Sequence, residues 1–184
     1  MTQMMHICDQ DRCITCYSCV LACKTGHDIP VGVARRKVFT INEGTPDERS
    51  VSVACRHCPE PYCLPACPVE AISNRADGIV QTDKKTCISC MMCLDACPFG
   101  IPAFLDKGNG ELGPQEKCTF CAGGPNVENF SDEEKKLYGQ NRIAEGKPVL
   151  CAAMCSTKAL MSGDADVVTD LMEKRTTNRY GMVK

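Results

Sequence analysis

The chain has no tryptophan, and only 5% of its 184 residues are aromatic. So few large side chains make a thin apolar core, and a fold of this size then needs covalent or metal cross-links. Long hydrophobic runs are also missing. The charge-free stretch Cys13 to Cys23 is 11 residues long, well short of the ~18–20 apolar residues that span a bilayer, so direct membrane insertion is not expected. Charge of one sign is not in excess: the formal net charge is −2 with 24% charged residues, which gives nucleic acid nothing to bind. The beginning, "MTQMMHICDQDRC", has no basic segment followed by an apolar one, and Arg35–Arg36 is internal with no apolar run behind it. No export signal is read from these features, and a cytoplasmic chain is the expectation.

Cysteine is what the chain has instead, 17 residues or about 9%. In a reducing compartment many cysteines point to metal rather than to disulfides. Their spacing is more specific. Cys13, Cys16, Cys19 and Cys23 form C-x2-C-x2-C-x3-C, and Cys87, Cys90, Cys93 and Cys97 repeat it with Pro98 following. Cys55, Cys58, Cys63 and Cys67 form C-x2-C-x4-C-x3-C, followed by Pro68. This is the bacterial ferredoxin pattern, in which three cysteines on a tight loop hold one cluster and the fourth ligates another.

That rule makes motifs come in pairs, so three motifs require a fourth. Cys118 and Cys121 in "KCTFC", then 29 residues, then Cys151 and Cys155 in "CAAMC" supply C-x2-C-x29-C-x3-C. Sixteen cysteines then fill four cubes and Cys8 is left over, read as a buried free thiol. Zinc also uses C-x2-C pairs but does not account for four ligands on one short segment. A disulfide scaffold suits a secreted chain. No C-x2-C is followed by His, which excludes covalent haem attachment. "GNGELG" (108–113) matches G-x-G-x-x-G, but Pro114 and Cys118 leave no room for the helix a dinucleotide site needs; it reads as a hairpin turn.

Between motifs the pattern is of short hairpins: "KVFTIN" (37–42) with "SVSVAC" (50–55), "AISNRADGIVQTD" (71–83) around an Ala-Asp-Gly turn, and "IPAFLDKGNGEL" (101–112). Each cysteine motif is expected to end in a short helix, for example Val69–Ile72. "SDEEKKLYG" (131–139) predicts a capped surface helix without cluster chemistry. Val167, Val168, Leu171 and Met172 form a helical stripe near the C-terminus, either packed on the chain itself or docking a partner. His6, His27 and His57 read as surface or supporting residues rather than ligands. Arg35, Arg36 and Lys37 read as a solvated strand, or otherwise a docking contact. Val20, Leu21, Ile88, Met91, Met92 and Leu94 are expected to shield clusters from water.

"CITCYSCVLACK", "CRHCPEPYCLPACPVEAI", "CISCMMCLDACPFGIPAF", "KCTFC" and "RIAEGKPVLCAAMCSTKAL" together resemble the four-cluster ferredoxin subunits that serve molybdenum or tungsten bis-pterin oxidoreductases. These are the formate dehydrogenases, dimethyl sulfoxide or polysulfide reductases and tungsten aldehyde oxidoreductases. The resemblance covers about residues 5–162. The insertion after Cys121 and Ser156 in place of proline depart from it, and neither removes a ligand.

The resemblance implies an α+β fold of two bacterial-ferredoxin-like units with pseudo-twofold symmetry around four 4Fe–4S clusters. One unit is continuous (46–104), the other split (1–45 with 105–163), and a C-terminal helix or tail follows (164–184). It implies four ligand sets: Cys13, Cys16, Cys19 and Cys155; Cys23, Cys118, Cys121 and Cys151; Cys55, Cys58, Cys63 and Cys97; Cys67, Cys87, Cys90 and Cys93. It implies a non-catalytic wire between a catalytic molybdenum- or tungsten-pterin subunit, of aldehyde or formate type, and a second redox subunit or carrier such as a flavoprotein, a ferredoxin or a membrane subunit. The alternatives are a hydrogenase-linked ferredoxin subunit and a polyferredoxin that self-associates into a filament. Each oxidised four-thiolate cube is formally about −2, so four bring the chain to about −10, which favours a basic docking surface on a partner.

Overall fold

The computed structural model describes residues 3–125 and 131–182. Short elements alternate with cysteine loops. Three two-stranded antiparallel sheets form: β1 (Met4–Cys8) with β6 (Leu160–Asp164), β2 (Arg36–Ile41) with β3 (Arg49–Ala54), and β4 (Ile72–Asn74) with β5 (Val80–Thr82). The helices are α1 (Ser18–Gly26), α2 (Met92–Asp95), α3 (Asp132–Tyr138), α4 (Leu150–Ala153) and α5 (Ala165–Arg179). This is a small α+β fold of short helices and small sheets.

Local chemistry explains the hairpins. β2 and β3 pair Arg36 with Ala54 through Ile41 with Arg49, closed by a loop containing Gly44 and Pro46. β4 and β5 turn at Gly78, whose φ of +76° suits glycine. The 101–116 segment closes through the bridges Asp106–Leu112 and Ala103–Glu116, and "GNGELG" is its turn, with no helix following.

The long-range pairing of β1 with β6 joins the two ends of the sequence, Met4 opposite Asp164 and Cys8 opposite Leu160. α1 packs on α4 so closely that a Cβ at Gly26 would collide with the Leu150 side chain. The main core lies here: Phe120, Ile79, Val149 and Leu160 pack with Cys19, Cys121, Cys151 and Cys155. Thiols thus supply much of what aromatic residues do in other cores.

Several expectations are corrected. Val69–Ile72 is not a helix: residues 68–69 turn, Glu70 takes φ +52°, and Ile72 already starts β4. The helical turns instead lie inside the motifs, α1 carrying Cys19 and Cys23, α2 carrying Cys93, and α4 carrying Cys151. α3 does form with a Ser131–Glu134 capping box, but it is not merely a surface helix. Tyr138 is 2% exposed, and its hydroxyl accepts from the Lys84 amide and lies 3.3 Å from Asp83 Oδ1. Part of the insertion, residues 126–130, lies outside the described residues.

α5 splits its stripe. Val168 is buried under β1 and β6 and Met172 is half-buried, whereas Val167 and Leu171 are exposed. Arg179 fastens the far end of α5, donating from Nη2 to both carboxylate oxygens of buried Asp9 at 3.0 and 2.9 Å.

Candidate metal centres

Among the described residues no disulfide forms, and all seventeen cysteines are free thiols. Twelve of them gather four to a cavity. Cys55, Cys58, Cys63 and Cys97 line one cavity with Lys117 and Ile101. Cys67, Cys87, Cys90 and Cys93 line a second with Gln115 and Met91. Cys23, Cys118, Cys121 and Cys151 line a third with His6 and Arg36. Cys19 and Cys155 belong to the main core, with Cys13 packed against it. Cys16 is exposed, and the Ser18 hydroxyl donates to its sulfur at 3.4 Å.

Backbone conformation produces the gathering. Thr15 and Tyr17, on either side of Cys16, have φ of +58° and +56°. Ser89 and Met91, on either side of Cys90, have φ of +60° and +63°. Left-handed residues other than glycine cost energy and persist where the surroundings hold them. Here they curl each loop around its middle cysteine, and Tyr17 and Met91 then cap α1 and α2.

Hydrogen-bond donors converge on the sulfurs. His6 Nε2 lies 3.4 Å from Cys118 Sγ while its Nδ1 faces Ser162 Oγ at 2.5 Å. His27 Nε2 lies 3.2 Å from Cys121 Sγ. Gln115 Nε2 donates to Cys93 Sγ at 2.7 Å. The amides of Ala71, Phe120 and Leu160 donate to Cys67, Cys118 and Cys155 at 3.2, 3.3 and 3.4 Å. Such bonds stabilise a thiolate and tune what it ligates.

The histidines are therefore not surface residues. His6, His27 and His57 are all buried. Burial holds His27 down to about 4, with Arg35 and Lys84 adding to it, and holds His6 and His57 well below their usual value. Neutral rings suit one-sided donation to sulfur. His6, His57 and Cys118 bring one ligand atom each within 4.8 Å of one another. Val80 donates to His57 Nδ1 at 3.1 Å.

Arg35 and Arg36 are not solvated either: each is 2% exposed. Arg35 pairs with Glu116 at 2.7 Å, and Lys84 pairs with the same carboxylate. Lys37 is exposed. Among the expected shields, Leu21, Ile88, Met91 and Met92 are largely exposed, although Ile88 and Met91 also wall the second cavity. Val20 and Leu94 are half-buried.

Burial pushes the Cys23 thiol up to about 12 and those of Cys121 and Cys63 up to about 11, and it raises Cys118 as well. Buried thiols without metal stay protonated; a metal ligand is the thiolate. Cys16 moves the other way, held low first by the Ser18 hydroxyl and also by Ser156. Cys8 is pushed up to about 11 by burial, despite the Ser52 amide donating to its sulfur at 3.4 Å.

Four thiols to a cavity suit a cube with a thiolate on every iron. Residues 48–129 match the 4Fe-4S dicluster domain family. The chain is 55% identical over 174 residues to the formate dehydrogenase iron-sulfur subunit of Wolinella succinogenes, covering 94% of this chain and 86% of that protein. It is 34% identical to the thiosulfate reductase electron transfer subunit of Salmonella typhi, covering 89% of this chain and 76% of that one. It is 31% identical to one polypeptide of the anaerobic dimethyl sulfoxide reductase of Escherichia coli, covering 90% and 75%.

Proposed function

Since the chain belongs to the 4Fe–4S iron–sulfur subunits typified by these relatives, we propose that it relays single electrons between a molybdenum- or tungsten-pterin catalytic subunit and a second redox partner. It is an electron-transfer subunit and not itself the catalyst. A formate-type partner is favoured over an aldehyde-type one by the 55% identity to a formate dehydrogenase subunit. Neither a hydrogenase-linked nor a filament-forming protein is among the relatives named above.

The observation that carries the reading is the grouping of twelve cysteines in three cavities, four to each. We assign the first cube to Cys13, Cys16, Cys19 and Cys155, and the second to Cys23, Cys118, Cys121 and Cys151. The third goes to Cys55, Cys58, Cys63 and Cys97, and the fourth to Cys67, Cys87, Cys90 and Cys93. When bound, such cubes change charge by one electron at a time. With a thiolate on every iron no coordination position is left for substrate, which is why catalysis belongs to a partner.

Two ferredoxin-like units with pseudo-twofold symmetry fit this assignment. The pairing of β1 with β6 and of α1 with α4 supports the split unit, and the β4–β5 hairpin lies within the continuous one (46–104). Cys16 and Cys90 are the two exposed cysteines. Exposed Ile14, Tyr17 and Leu21 lie near Cys16 in sequence, and Ile88, Met91 and Met92 near Cys90. We take these as the two ends of the wire, one for each partner. No helix among the described residues is long and apolar enough to cross a membrane, and cysteine usage of this kind suits a cytoplasmic address.

Purification from the native source tests the proposal. The expected result is a discrete complex with a pterin enzyme containing molybdenum or tungsten, and about 16 irons per copy of this chain. Zinc in place of iron, or a hydrogenase as partner, would overturn it.

A further inference from the structure

Arg36 has no part in the function so far, yet it is one of the largest fully buried side chains. It opens β2 and is 2% exposed. Nη1 donates to Ser52 Oγ at 3.0 Å, and Ser52 Oγ lies 3.2 Å from Cys19 Sγ. Nη2 is buried and has no hydrogen-bond partner among the described residues. The nearby carboxylate of Glu116 is already taken by Arg35 and Lys84, and no carboxylate pairs with Arg36 among the described residues.

A guanidinium buried without a counter-charge is expensive. Burial does work against the cation, but Cys151, Cys118, Cys19 and Cys23 outweigh it and hold Arg36 above its usual value. Those four cysteines do not belong to one cavity. Cys23, Cys118 and Cys151 line the cavity that Arg36 also lines, whereas Cys19 does not line it and is joined to Arg36 through Ser52.

We infer that Arg36 is a positioning residue, a fixed counter-cation shared by the first and second cubes, and that it keeps both of them reducible. The inference rests on the ligand assignment proposed above. Reduction adds one electron and one negative charge to a cube in surroundings poor in water. Attraction to a fixed cation is greater for the reduced form than for the oxidised one, so the cation raises the potential. Arg36 stays protonated throughout and no proton moves with the electron. The second cube feels the unpartnered Nη2 directly. The first is reached through Ser52, whose hydroxyl stands between Nη1 and Cys19. The third cavity has its own buried cation, Lys117, and the fourth has Gln115, so neither depends on Arg36.

The test is a redox titration of the full chain loaded with clusters, followed by electron paramagnetic resonance. Cys16→Ser and Cys118→Ser identify the first and second cubes by the signals they alter. Arg36→Met is expected to lower the reduced-to-oxidised ratio of both cubes at fixed solution potential at least about ten-fold, about 59 mV for one electron. Arg36→Lys is expected to restore most of it, and the third and fourth cubes stay unshifted. Equal shifts in all four cubes, or none in the first two, overturn the inference. If Arg36→Met loses iron, Ser52→Ala decides: a fall confined to the first cube supports the relay, and an unchanged first cube overturns it. Failure of Cys118→Ser to alter any cluster signal would instead remove the ligand assignment itself, a different outcome from an unmoved potential.

Discussion

His27 is held between Cys121 and Gly139. Its Nε2 lies 3.2 Å from Cys121 Sγ, and the other side of its ring rests against the glycine that ends α3, where a Cβ would collide with it. The φ of Gly139, +86°, also disfavours any L side chain. Gly139→Ala is expected to displace His27, destabilise the chain by about 1–3 kcal/mol, and alter the second cube's spectrum more than the others. Thermal unfolding together with cluster-resolved resonance checks it. A shift in stability with an unchanged second cube would show that the ring is only packing.

Cys155→Ala tests the crossing of ligands. The Leu160 amide donates to Cys155, and Cys155 is absent from the cavity that Cys151 lines with Cys23, Cys118 and Cys121. The expected loss is the first cube alone, about four irons of about 16. Loss of the neighbouring cube instead would refute the crossing.

Gln115 ties two structures with one amide. Its Nε2 donates to Cys93 Sγ at 2.7 Å, and its Oε1 accepts from the Thr82 hydroxyl. Gln115→Leu keeps the bulk but leaves Thr82 without that acceptor, a cost of about 1–3 kcal/mol. The fourth cube's potential should fall and the other three should hold, as read by redox titration.

Asp9→Asn attacks the tie between the start of the first motif and the far end of α5, where Arg179 grips both carboxylate oxygens. With a neutral amide in place of the carboxylate, α5 should fray from Arg179 backward while β1 and β6 stay paired. Hydrogen exchange along α5 measures this, and unchanged protection at residues 172–179 would count against it.

Removal of iron should unfold the chain rather than empty it. The core shares its volume among Cys19, Cys121, Cys151 and Cys155 and a handful of apolar side chains, and ligand binding free energy in such sites is folding free energy. Chelation under reducing conditions should abolish the cooperative thermal transition. A chelated chain that retains it would show that the apolar residues suffice.

Much of this was legible from spacing. The cysteine motifs, the hairpin turns at 76–78 and 108–113, and the helix opening at Ser131 or Asp132 are local patterns whose physics lies within a few residues; the structure makes Ser131 the cap. The buried arginines were not. A run such as Arg35-Arg36-Lys37 ordinarily reads as solvated, and only the packing of 116–121 and 151 around β2 shows why two of the three face inward. The false helix at Val69–Ile72 came from assuming that a motif is followed by its helix, whereas the helical turn is part of the loop that presents the cysteines.

Cys16 and Cys90 are exposed, while every cysteine assigned to the second cube is buried. On the assignment proposed here, dioxygen and other small oxidants in solution reach the conductor most readily at its two tips, where a cysteine is exposed. A docked partner at each tip is then also a stopper. Oxidative decay should begin at the tips in the chain by itself and slow when both are covered, so the assembled complex insulates as well as connects.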